Sequence, residues 1–127
     1  MEIPKKKFHK SEVTIISAHD VESNLLNKFY DQAYDTKHAH LLKNHWKWRY
    51  RTEYHNKKIP LVMVYKNTVI AHAGMVPFKV FVDGQVMEAS WFIDFAVLPE
   101  FQRCGLGSMI TEKWMNFSDL CLAMNCN

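Results

Sequence analysis

Apolar and polar positions alternate in ways that divide the chain into a strand, two helices, three strands, a helix and a last strand. Val13 to Ala18 is a β-rich run and predicts the first strand. His19-Asp20 offers a helix start with Asp20 as N-cap, and Val21, Leu25, Leu26 and Phe29 then recur at helical spacing toward Tyr34. Asp35 or Thr36 can cap a second helix, whose apolar stripe is Ala39, Leu42, Trp46 and Tyr50. Lys57-Lys58-Ile59-Pro60 breaks it. Leu61 to Tyr65, a Lys66-Asn67 turn and Thr68 to Val76 predict a hairpin. Pro77 has no amide hydrogen for a ladder and marks a bulge or an edge. Phe78, Val80 and Val82 continue the strand, and Asp83-Gly84 is a second hairpin turn. The fourth strand runs from Val86, and its apolar end, Trp91 to Val97, reads as buried until Pro99 stops it. Leu106, Ile110, Trp114 and Phe117 have helical spacing. Asp119 to Asn125 is apolar on both faces, which predicts a central strand covered on both sides.

A chain of 127 residues, 48% apolar, predicts a single domain over 1–127 with residues 1–11 as a loose lead-in. No apolar run is long enough to span a bilayer, and no apolar segment follows Lys5-Lys6-Lys7 as a signal peptide would require. The expectation is a cytoplasmic protein without a membrane partner. Cys104, Cys121 and Cys126 cannot all pair within one chain and are expected as free thiols. A net charge of +3 is too small to argue for nucleic acid. His45-Trp46-Lys47-Trp48-Arg49-Tyr50-Arg51 interleaves aromatics with cations, as a base-stacking surface would. The plainer reading is a helix with aromatic core positions and long cationic flanks. His38, His40 and His45 lack an acidic or cysteine partner at ligand spacing, so no metal is expected.

The chemistry is concentrated where the fourth strand meets the third helix. Gly105 and Gly107 let the backbone turn tightly and approach a bound group. The first amides of the helix that follows have no internal partners and sit at the positive end of its dipole. Strand, loop and helix start together make an anion site suited to phosphate.

The ordered run Asp94-Phe95-Ala96-Val97-Leu98-Pro99, followed by Gln102-Arg103-Cys104-Gly105-Leu106-Gly107-Ser108, resembles the acyl-CoA-binding signature of the GNAT N-acetyltransferase superfamily. The resemblance implies an α/β fold, with a mixed, largely antiparallel sheet, flanking helices and the order β-α-α-β-β-β-α-β. It implies that acetyl-CoA is the co-substrate, without a metal, and that the acetyl group goes to an amine of an unknown acceptor. Amides of Gln102, Arg103, Cys104, Gly105, Leu106, Gly107 and Ser108 would hold the CoA pyrophosphate, with Arg103 adding charge. Phe95, Ala96 and Val97 would pair with the pantetheine arm, and an amide near Phe95 or Val97 would polarise the thioester. The first two helices would border the acceptor cleft.

A base must take a proton from the amine. Asp94, Glu88, Glu53 and His72 are the titratable candidates, and Asp94, in the signature strand, is the catalytic candidate. Its side chain is expected to point opposite to those of Ile93 and Phe95, and a hydrogen-bonding anchor would look the same. A family domain commonly goes on with another helix and a hairpin, for which this sequence has no residues. That departure keeps open a non-catalytic acyl-CoA-binding module, a fragment of a larger acetyltransferase, and a homodimer whose second copy covers the exposed sheet edge.

Overall fold

Two turns of one kind build the centre of the sheet. Lys66 and Asn67 have φ of 47° and 60°, and Asp83 and Gly84 have φ of 50° and 78°. Two successive residues at positive φ match the right-handed twist of flanking strands and close tight hairpins. In this computed structural model, which describes residues 8–116 and 118–123, the turns fold β2 (Leu61–Tyr65), β3 (Thr68–Val82) and β4 (Gln85–Val97) into an antiparallel meander. β1 (Thr14–Ser17) pairs antiparallel with β2, and β5 (Leu120–Ala123) pairs parallel with β4. The five-stranded order is β1-β2-β3-β4-β5. This is the mixed, mostly antiparallel sheet with flanking helices that the sequence predicts.

Helices α1 (Ser23–Ala33) and α2 (Thr36–Arg49) cover one face of the sheet, where Phe29 and Tyr30 pack on His72 of β3. Helix α3 (Leu106–Met115) covers the other. Its Trp114 ring lies 4.4 Å from Phe92, and the indole N–H donates to Ser90 Oγ at 3.0 Å. Leu26, Phe29, Tyr30, Leu42, Met75, Ile110 and Trp114 are buried between these layers, each contributing about 1.5–3 kcal/mol of apolar burial.

Several expectations are corrected. Asp20 does not cap α1: residues Ala18–Asp20 form a 3-10 turn, and α1 begins at Ser23 after Glu22, with no side-chain cap. The turn is held instead by Ser17 Oγ, which accepts from the His19 amide. Asp35 does cap α2, accepting from the His38 amide at 2.8 Å. Of the lead-in, residues 1–7 lie outside the described residues; Phe8 packs edge-on against Tyr65 and Phe101, and the exposed Lys10–Glu12 form a 3-10 turn. Pro77 pairs with Ser90 in a regular stretch of ladder. Of the bulge and edge readings the edge one holds: among the described residues β2 pairs with β3 only as far as Ala73, so Pro77 sits on a free edge. The last strand is half-buried, not covered on both faces, and among the described residues β4 alone pairs with it. Residues 124–127, the end of the predicted strand, and Phe117 lie outside them.

Candidate active site at the bulge in the fourth strand

The ladder between β3 and β4 slips by one residue at the signature. His72 pairs with Ala96 and Gly74 with Ile93, so Asp94 and Phe95 together oppose Ala73. The extra residue is a β-bulge, and Asp94 takes a left-handed φ of 55°. The bulge breaks the predicted alternation. Ile93 and Asp94 both face α2, while Phe95 turns to the α3 side against Phe92. Gly107 lies against that ring: a Cβ added there would be in ordinary contact with it, at 3.5 Å.

Asp94 is the hub of a polar cluster. Arg49 donates from Nε to Oδ2 at 2.7 Å and from Nη2 to Oδ1 at 3.1 Å. The Tyr50 hydroxyl donates to Oδ2 at 2.7 Å, and His38 Nε2 lies 3.0 Å from Oδ1. Burial pushes the Asp94 carboxyl up, but the hydrogen bonds from Arg49 and Tyr50 and the Arg49 charge outweigh it and hold it below the usual carboxylate range. Such a carboxylate is a weak base. Asp94 O accepts from the Tyr34 hydroxyl and lies 3.1 Å from His72 Nδ1. A carbonyl can only accept, so Nδ1 carries the His72 proton and Nε2 accepts from the Tyr30 hydroxyl at 3.3 Å. Complete burial lowers the His72 pKa to about 4 and keeps the ring neutral. Burial, then the Asp94 charge, holds the Tyr30, Tyr34 and Tyr50 hydroxyls far above their ordinary pKa, so all three remain donors.

On the α3 side of the bulge lies a groove of about 560 Å³. Phe95, Ala96, Val97, Gln102, Arg103, Gly105, Leu106, Gly107 and Ser108 line it, joined by Ala33 at the end of α1 and by Phe101. Nine of the ten residues that the resemblance implies for acyl-CoA are thus brought to one groove. Cys104 is not in its lining: the thiol faces Gln102 O at 3.6 Å and packs against the core. The loop is tied to the strand by Gln102 Nε2, which donates to Val97 O at 3.1 Å. Gly105, at φ 83°, is the N-cap of α3 and offers no side chain to the first amides. That donor set fits a phosphate. Lys10, from the lead-in, adds a cation: its Nζ lies 2.9 Å from where a Gly105 Cβ would be.

The other titratable candidates do not join this site. Glu88 pairs with Lys57 at 3.5 Å, and Glu53 lines a separate groove with Trp46, Trp48 and Tyr54. His72 is sealed beneath Asp94. Sequence reasoning missed Tyr34, Arg49 and Tyr50 as site residues and weighed His38 only as a metal ligand. For Arg49 and Tyr50 the signal was the interleaved aromatics and cations at the end of α2, which read as core and flank; Tyr34, at the end of α1, carried none. Among the described residues no cluster of three or more His, Cys, Asp or Glu is arranged to hold a metal, and no helix is long and apolar enough to cross a membrane. Cys104 and Cys121 are free thiols; Cys126 lies outside the described residues.

A bulged fourth strand feeding a glycine loop and an uncapped helix defines an acyl-CoA-type transferase fold. The model of the Acetyltransferase (GNAT) family matches residues 22–119, and the chain belongs to that family. No curated protein matched the sequence. A GNAT family acetyltransferase of Staphylococcus aureus superposes with a TM-score of 0.65 at 19% identity, over 91% of this chain and 88% of that one. Glucosamine-6-phosphate N-acetyltransferase of Arabidopsis thaliana gives 0.65 at 14% identity, over 91% and 82%. A GNAT family acetyltransferase of Brucella melitensis, solved with acetyl-CoA, gives 0.64 at 14% identity, over 91% and 77%. At these identities the likeness is one of fold.

Proposed function

We propose that the chain is an N-acetyltransferase that passes the acetyl group of acetyl-CoA to an amine. The observation that carries this reading is the groove in which Phe95–Val97 meet Gln102–Ser108 beneath an uncapped helix start. The amides of the loop would hold the pyrophosphate, and Phe95, Ala96 and Val97 would run beside the pantetheine arm. Bound acetyl-CoA supplies an activated acyl carbon and a thiolate leaving group. An amide near Phe95 or Val97 would stabilise charge on the carbonyl oxygen.

Asp94 serves this site as an anchor. Its carboxylate is committed to Arg49 and Tyr50, so it holds partners in place and takes up no proton near neutral pH. His38, whose Nε2 lies 3.0 Å from Asp94 Oδ1, is the partner assigned as the base. If its Nε2–H donates to Asp94 Oδ1, Nδ1 is left to accept a proton from the incoming ammonium. Stacking on Tyr34, with ring centroids 4.9 Å apart, fixes the imidazole plane. The amine nitrogen then attacks the thioester carbon, the C–S bond breaks, and the second nitrogen proton neutralises the thiolate. This reading carries with it a cytoplasmic location, where acetyl-CoA is available, and a second copy of the chain as the cover for the edge of β5 that no strand pairs among the described residues. Light scattering on the purified protein tests the latter: a dimer mass supports it and a monomer mass removes it.

The test of function is release of free CoA thiol from acetyl-CoA in the presence of a panel of primary amines. Release that requires both acetyl-CoA and an amine is the expected result. Bound acetyl-CoA with no release for any amine would make the chain a binding module instead.

A further inference from the structure

Beside the bulge, on the face opposite α3, a second groove of about 520 Å³ is lined by Trp48, Arg49, Arg51, Tyr54, Val76 and Ile93. It adjoins the reaction centre through Arg49, which grips Asp94, and through Ile93, the residue before it. Its walls combine three features. Trp48 is 77% exposed and Tyr54 83%, although both are large aromatics that a core would take; two such rings on one rim mark a surface shaped for a ligand. Arg51 makes no ion pair among the described residues, and it is held in a left-handed conformation at φ 55° as the N-cap of the 3-10 turn that carries Tyr54. Among the described residues no carboxylate side chain lines the groove: Glu53 lines an adjoining groove that shares Trp48, Arg51 and Tyr54 with it, and Asp94 and Arg49 neutralise each other.

From these features we infer that this groove is the acceptor subsite and that it takes a primary amine carrying an anionic group, phosphate or carboxylate, on a flat scaffold. The inference rests on the acetyltransferase reading above. Arg51 supplies a planar fork of donors that matches either anion. Trp48 and Tyr54 supply flat apolar faces for a sugar ring or an aryl ring. With the anion on Arg51, the amine end of the acceptor is directed past Arg49 toward His38 and the bulge. Among the described residues a polycationic acceptor meets the Arg51 guanidinium and no unpaired carboxylate in the groove lining.

The test is calorimetric titration of the CoA-loaded protein with glucosamine 6-phosphate and with 4-(aminomethyl)benzoate. Each is compared with its counterpart lacking the anion, glucosamine or benzylamine, and kanamycin serves as the polycation. We expect at least one anionic amine to bind tenfold or more tightly than its counterpart, and kanamycin to bind least. The phosphate and carboxylate arms show which anion is preferred. Arg51→Asn, which removes the charge while tolerating the left-handed backbone, should abolish that preference and leave acetyl-CoA affinity unchanged. Equal binding of the counterparts, tighter binding of kanamycin, no binding of either anionic amine, or an Arg51→Asn variant that keeps the preference would overturn the inference. Failure of the parent chain to bind acetyl-CoA would instead count against the acetyltransferase reading, and the same amine titrations on the unloaded chain would still decide the groove's preference.

Discussion

Arg49 and Asp94 form a two-point ion pair, Nε to Oδ2 at 2.7 Å and Nη2 to Oδ1 at 3.1 Å, that ties the last turn of α2 to the bulge in β4. The Asp94 side chain is only 5% exposed and Arg49 28%. Removing the arginine strands a buried carboxylate with Tyr50 and His38 as its remaining partners. Arg49→Ala should therefore cost about 2–4 kcal/mol, toward the lower side of what breaking a fully buried pair costs because Arg49 is partly in water. Urea unfolding at pH 7 measures it. A loss below about 0.5 kcal/mol, the value of a surface pair, would show that the pair does not hold the bulge.

Stability should fall as pH drops from about 6.5 to about 4, and His72 is the cause. Its pKa is lowered to about 4 in the folded protein from 6.5, chiefly by burial. Between those values the unfolded chain takes up a proton that the native state refuses, so the contribution is complete above the unfolded pKa and is lost on acidification. The shift corresponds to about 3 kcal/mol. Asp94 acts in a lower window, because its depressed pKa contributes stability that is lost only below the ordinary carboxylate value. Urea unfolding at pH 7, 5.5 and 4.5 should show the slope in the parent chain and a flatter one in His72→Gln. Equal slopes would refute the assignment.

Gly74 should tolerate no side chain. A Cβ there would lie 2.6 Å from the Tyr50 ring and 2.7 Å from Ile93 O, and the carbonyl belongs to a strand that cannot move aside cheaply. Gly74→Ala is expected to cost about 1–3 kcal/mol through overpacking. It should also displace the Tyr50 hydroxyl from Asp94. Thermal melting with near-ultraviolet circular dichroism reads both effects, and an unchanged melting temperature would contradict the packing described.

His38→Gln should lower turnover by about 10²–10⁴-fold, the usual worth of a general base, with acetyl-CoA affinity unchanged. If the variant keeps the rate, the proton goes elsewhere.

Much of this architecture was legible before folding was considered. Asp83-Gly84, Lys66-Asn67 and the Asp35 cap are local: each needs only its own backbone geometry, and each behaves as the pattern predicts. The signature residues from Phe95 to Ser108 gather in one groove because a strand, a short loop and a helix leave little conformational choice. The bulge was hidden, since nothing in Ile93-Asp94-Phe95 announces an extra residue; it exists only relative to the register of β3. For the same reason Asp94 was expected to face away from Ile93, and its partners Arg49 and Tyr50, 45 and 44 residues distant, could not be paired with it. The last strand was misread because apolar character on both faces describes a central strand, whereas β4 alone pairs with it among the described residues. Asp20 failed as a cap because the chain first makes the 3-10 turn over Ala18–Asp20.

Calorimetric titration of acetyl-CoA into the parent chain and into Ser108→Glu tests the central claim most directly. Ser108 is exposed in the first turn of α3 and lines the groove. A glutamate there favours the helix by about 0.3–1 kcal/mol through its dipole, yet puts a negative charge where the pyrophosphate should lie. The account predicts that the parent binds, and that Ser108→Glu loses at least tenfold in affinity while melting no lower than the parent. A parent chain that binds no acetyl-CoA, or a variant that binds it equally well, would mean that this loop is a turn and not a cradle.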